Sequence, residues 1–212
     1  MCRSKLEEVV NGQSISGSLN YEGASYGFQS GYVTSASVNC AVGAMPQTNY
    51  SIVVYDELRS GANASGNITS AIDIPSQGSI SINCDNVSSN RVLGFDYSAQ
   101  SNYKPYYTIG SETPSEVKYI RSEERRVGVK YIGPTTYNAT VQLEVDDVMP
   151  QSGYTFLTSG KNGKDTVSLS VNGKNGTTLQ NYTIPSAVLV SEQLSATADG
   201  SIRLTLNYVG HQ

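Results

Sequence analysis

Apolar residues alternate with polar or small ones through most of this chain, the period-two signature of strands that bury one face and wet the other. The clearest instance occurs twice: Ala36–Tyr50, ASVNCAVGAMPQTNY, returns as Ala139–Tyr154, ATVQLEVDDVMPQSGY, with one further residue in the turn. Val38, Cys40 and Val42 alternate in the first copy and Val141, Leu143 and Val145 in the second, each run leading to a Met-Pro-Gln corner. Proline has no N–H to give to a central ladder, so Pro46 and Pro150 should end these strands and Tyr50 and Tyr154 should open the next ones. A second echo matches Gln77–Val87, QGSISINCDNV, to Asp199–Val209, DGSIRLTLNYV, without a gap. The two echoes set Cys40 against Leu143 and Cys84 against Leu206, which predicts that both cysteines are buried core thiols.

In the first half the same alternation predicts strands at Ser14–Tyr21, Tyr26–Val33, Tyr50–Tyr55, Ile68–Ile74, Ser79–Cys84 and Arg91–Tyr97. In the second half it predicts Tyr154–Thr158, Thr166–Val171, Leu179–Ile184, Ala187–Val190 and Ser201–Tyr208. Gly17, Gly23, Gly27 and Gly31 break the first of these runs, and Lys161–Lys164 and Asn172–Gly176 carry the Asn-Gly signals of tight hairpins. Two blocks recurring in order and in phase point to an internal duplication. The expected fold is therefore all-β, two tandem, internally duplicated immunoglobulin-like β-sandwich domains at residues 13–100 and 133–212. An N-terminal arm, 1–12, precedes them and a connector, 101–132, joins them.

The run Ser98–Pro114, SAQSNYKPYYTIGSETP, leads into the connector and carries Tyr103, Tyr106 and Tyr107, rigid amphipathic side chains suited to an interface between domains or subunits, or to packing on their own domain. Val117–Ile120, VKYI, recurs as Val129–Ile132 around the most charged octet of the chain, RSEERRVG at Arg121–Gly128. The octet resembles a translated sequencing-library adapter, and the flanking duplication is what a mis-joined read leaves. Residues 121–132 are therefore read as an insert foreign to the fold, against the alternative of a genuine basic loop that binds an acidic partner. Without them 14 Lys+Arg and 18 Asp+Glu become 10 and 16, and the net charge moves from −4 to −6.

Composition narrows the function more than it names it. A chain of 212 residues with 15 Tyr, no Trp, 15% charged residues and net −4 lacks the basic surface that phosphate backbones require, so nucleic acid is not an expected partner. No apolar run is long enough to span a bilayer, so no membrane is expected either. The first residues, MCRSKLEEVVNGQ, do not read as a secretory signal, which favours synthesis and retention in a cytosol. Cys40 and Cys84 stand where an immunoglobulin-like sandwich would place a cross-sheet pair, and a reducing compartment would keep them as thiols.

Catalytic constellations are missing. The single histidine, His211, would have to serve a triad from a frayed tail, and no metalloprotease, paired Cys-x-x-Cys, nucleophile-elbow or phosphate-loop motif occurs. Asp146 and Asp147 with Asp165 are weighed as a calcium site against the simpler reading of a solvated turn, and the turn is preferred. Asn-x-Ser/Thr at Asn49, Asn63, Asn67, Asn86, Asn138, Asn175 and Asn181 follows from composition and carries no expectation of glycosylation. No catalytic residue, cofactor or metal is assigned.

The run from Arg91 to Asp147, read through Pro105, Tyr107, Gly110 and Ser111 as Pro-x-Tyr-x-x-Gly-Ser, resembles structural proteins of tailed-phage virions. That resemblance implies a non-enzymatic virion component, tail-associated or on the capsid surface, made in the host cytoplasm and partnered by itself and other virion proteins. The rival expectations are a bacterial surface or pilus-like adhesin and a carbohydrate-binding β-sandwich module.

Overall fold

The structure, a computed structural model, describes residues 14–55, 57–60, 74–84, 87–101, 103–111, 116–119, 135–144, 165–196 and 202–211. Every regular element among them is a strand: β1 Ile15–Tyr21, β2 Ala24–Ala41, β3 Gln47–Val54, β4 Arg59–Ser60, β5 Ile80–Cys84, β6 Val87–Ser89 and β7 Val92–Ser101. Then follow β8 Tyr103–Tyr106, β9 Glu116–Tyr119, β10 Thr135–Glu144, β11 Asp165–Asn172, β12 Thr178–Ala196 and β13 Ile202–His211. The all-β expectation holds. The segments 121–132, Asp146–Asp147, Pro150, Tyr154–Thr158 and Lys161–Lys164, and all but Ile74 of Ile68–Ile74, lie outside the described residues.

Two compact units divide the chain, each assembled from separated segments. The first comprises Met1–Ala36, Tyr50–Ala71 and Gln100–Thr135, the second Ser37–Asn49, Ile72–Ala99 and Thr136–Gln212. These boundaries differ from the expected domains at 13–100 and 133–212: within the second unit, strands from both halves of the sequence share one hydrogen-bonded path, β7-β10-β13-β12-β11-β5-β6. The echoed strands also have different neighbours: β5 lies between β11 and β6, whereas β13 lies between β10 and β12.

The second unit is a sandwich. Val141 faces Leu206 and Leu143 faces Leu204 along the antiparallel β10–β13 pair, and Leu169 faces Ile82 and Val171 faces Ile80 along β11–β5. The alternation read from the sequence thus puts Val141, Leu143, Leu204, Leu206, Ile80, Ile82 and Leu169 in a core that water does not reach. β7 is not a ladder neighbour of β12, yet Phe95 and Tyr97 set their rings 5.6 and 5.1 Å from that of Tyr182, and the Tyr97 hydroxyl donates to the Thr183 carbonyl at 3.4 Å. These contacts run face to face between two layers.

One strand belongs to both layers. The first part of β12 pairs with β11 up to Ala187, and the rest pairs with β13 from Val188 onward. The change of layer falls at Pro185, which has no N–H for either ladder, and Ser186, at φ 48°. Leu179–Ile184 and Ala187–Val190, expected as two strands, are one strand with a corner. The Asn172–Gly176 turn forms as its Asn-Gly signal predicts, with Gly173 N donating to Thr177 O and Gly176, at φ 72°, donating to Gly173 O, both at 2.9 Å. His211 closes β13 opposite Thr136, so its backbone is part of a ladder and not a loose tail.

Candidate interaction surface

Polar side chains on the outer faces of the second unit satisfy one another. Thr140 donates to Asn207 Oδ1 at 2.7 Å, Asn207 Nδ2 donates to Ser191 Oγ at 2.7 Å, and Asn39 Nδ2 donates to Asp96 Oδ1 at 2.5 Å. On the other layer Ser170 donates to Asn181 Oδ1 at 3.0 Å. Short side chains in cross-strand rows make these faces flat and hydrophilic. Two depressions lie in them: one of about 670 Å³ lined by Ser81, Asn83, Ser88 and Arg91, the other of about 280 Å³ lined by Asn39, Asp96, Asn138 and Thr140. Neither joins a nucleophile to a base. Among the described residues no three His, Cys, Asp or Glu side chains come together as a metal site. Asp146 and Asp147 lie outside those residues, and of Asp165 only the backbone, in β11, is described.

The first unit has the opposite character. Of the apolar side chains the described fold buries, only Val33 and Ala36 belong to it, while Tyr21, Tyr26, Tyr50, Ile52, Leu58 and Ile109 stand exposed. Its frame is the β1–β2 hairpin, closed by Glu22 and Gly23 at φ 48° and 81°, the paired positive angles of a type I′ turn. Against β2 lies β3, exposed along nearly its whole length. Thr34 Oγ1 donates to the Ser51 carbonyl at 3.2 Å and Tyr55 N donates to Ser30 O at 3.1 Å, which fixes the β3 edge that faces β2. Ile52, Val53, Val54 and Tyr55 follow one another without a polar break, so apolar groups fall on both faces of the strand. That unbroken run was the sequence signal for a two-faced strand, and reading Tyr50–Tyr55 as an ordinary strand passed over it.

Tyr55 anchors an aromatic cluster. Its ring centroid lies 5.7 Å from that of Tyr32 and 6.4 Å from that of Tyr107, the latter nearly edge-on at 83°. Burial, and then the neighbouring Tyr107 and Tyr32 hydroxyls, push the Tyr55 hydroxyl above its ordinary pKa. Of the connector tyrosines, Tyr107 therefore combines packing within its own unit with an exposed rim, and Tyr106 is 52% exposed. Tyr103 pairs with Tyr119 in the β8–β9 hairpin, and its side chain lies outside the described residues.

The cysteines differ from each other. Cys40 is buried in β2, and burial pushes its thiol up to about 11. Cys84 is only half-buried at the end of β5, with its Sγ 3.6 Å from the Tyr208 hydroxyl. Of the two expected core thiols, Cys40 is buried and Cys84 half-buried, and both are free of disulfides. The chain matches no protein-family model and no curated protein sequence.

Proposed function

We propose that the protein is a non-enzymatic assembly component of a tailed-phage virion, on the tail or the capsid surface, made in the host cytoplasm and partnered by its own copies and other virion proteins. The observation that carries this reading is the contrast between the units: in the second, a sandwich with a closed apolar core and polar faces whose side chains bond one another, and in the first, tyrosines and aliphatic side chains left in water. Exposed apolar groups gathered on one unit are what an assembly uses for its contacts. The sequence resemblance centred on Pro105, Tyr107, Gly110 and Ser111 supplies the class of particle.

The finer description of the fold belongs to the same reading. The sandwich is immunoglobulin-like, and the two echoes are the remains of a duplication. The support is that Cys40 and Leu143 are both fully buried and Leu206 is as well, with Cys84 at the core border. Sedimentation of the full chain at rising concentration, alone and mixed with particle components, tests the functional reading. Concentration-dependent self-association or co-sedimentation with a particle is the expected result. A strict monomer that binds no particle component overturns it and turns attention to glycan binding by the polar faces.

A further inference from the structure

We propose that the smaller depression on the outer face of the second unit is a binding site for one neutral sugar ring of a glycan. Its volume of about 280 Å³ lies near the lower end of the range of about 300–1,000 Å³ for ligand pockets. Asn49 of β3, Asn39 of β2, Asp96 of β7, and Asn138 and Thr140 of β10 line it, all from the second unit. Thr140 is half-buried and the other four are exposed. The site stands apart from the assembly reading, since it uses none of the apolar side chains on which that reading draws.

The chemistry of the lining selects the ligand. Asn39 Nδ2 donates to Asp96 Oδ1 at 2.5 Å, a charge-assisted bond that holds the carboxylate in place and leaves its second oxygen to accept from a ligand. The Thr140 hydroxyl donates to Asn207 and keeps its lone pairs as acceptors. Elsewhere on these faces polar side chains bond one another, but among the described residues none bonds the side-chain amides of Asn49 and Asn138. Each amide offers both a donor and an acceptor. A sugar carries hydroxyls on neighbouring carbons, so one can donate to Asp96 while the next accepts from an amide N–H. Other ligands match the lining less well. Among the described residues it holds one carboxylate and no Lys, Arg or His, which repels anions. One carboxylate is a poor donor set for a divalent cation, and the described residues bring no three metal-ligating side chains together.

The test is an NMR titration of the full, isotope-labelled chain with neutral sugars: glucose, galactose, mannose, N-acetylglucosamine, lactose and maltose. At least one of them is expected to shift the side-chain amide signals of Asn39, Asn49 and Asn138 in a saturable way. Asp96→Asn keeps the shape of the side chain and removes its charge, and is expected to weaken that binding by about tenfold or more. Asn83→Ala, in the larger depression, is expected to leave it unchanged. The backbone spectrum of each variant checks that it folds. No saturable shift with any of the sugars, or saturable shifts confined to other residues, overturns the site. So does an Asp96→Asn variant that binds as well as the parent. A response of the same amides to methylammonium that the sugars do not share overturns it in favour of a cationic ligand. Assembly is read separately by sedimentation, so failure of the site leaves that reading standing.

Discussion

Cys40 sits in β2 with 2% of its surface exposed, and its thiol is raised from 9.0 to about 11 because a thiolate there would give up its hydration. The folded state therefore favours the protonated thiol. Its contribution to stability is present in full below pH 9 and is lost as pH rises through about 11. Reactivity follows the thiolate, so Cys40 is expected to resist alkylation at pH 8 in the native protein while the half-buried Cys84 reacts. With Cys2 replaced by serine, mass mapping of a timed iodoacetamide reaction checks this. Equal labelling of the two sites would show that the core is not sealed at β2. The sequence made the alignment of these cysteines with leucines visible, but it carried no sign that Cys84 would meet the hydroxyl of Tyr208, 124 residues away in the chain.

The elements were legible where alternation was clean and illegible where a strand changes partner. Thr135–Glu144 and Ile202–His211 reproduce the period that their sequences display, each extended by a few residues at an end. β2 and β12 were each read as two strands, since Gly and Pro ordinarily punctuate a strand. In β12 the punctuation is a bend within continuous hydrogen bonding. Gly210 of β13 passes so close to this bend that a Cβ on it would meet the Ile184 side chain and come within 2.6 Å of the Pro185 carbonyl. Ser186, exposed and at φ 48°, takes the left-handed conformation that lets the strand leave one layer for the other. Replacing it tests whether that conformation limits stability. Ser186→Gly is expected to be neutral or stabilising by a few tenths of a kcal/mol, whereas Ser186→Val is expected to cost about 1–2 kcal/mol, because a β-branched side chain clashes with the carbonyl there. Urea melts of the two variants measure the difference, and identical midpoints would place the corner's strain elsewhere.

At the scale of the molecule, the sequence echoes suggested a chain that closes twice, and the contacts describe a sandwich whose layers draw on both halves. Periodicity specifies which face of a strand is buried; it does not specify which strand lies beside it, and β5 finds β11, and β7 finds β10, far along the chain. The distinction has a measurable consequence for residues 133–212. Expressed alone, they lack Phe95 and Tyr97, the rings that cover Tyr182, and Ile80 and Ile82, which stand opposite Val171 and Leu169. Each of these side chains is buried in the full chain, and exposing the apolar surface they cover costs roughly 1.5–3 kcal/mol per large residue, against a total stability of about 5–15 kcal/mol for a domain. The loss of four such partners is enough to unfold the fragment. Residues 133–212 are therefore expected to show no cooperative urea transition by near-ultraviolet circular dichroism, and mixing them with residues 1–132 is expected to restore one. A fragment that melts cooperatively alone, with the native tyrosine signal, would establish an independent C-terminal domain and return the chain to a tandem arrangement.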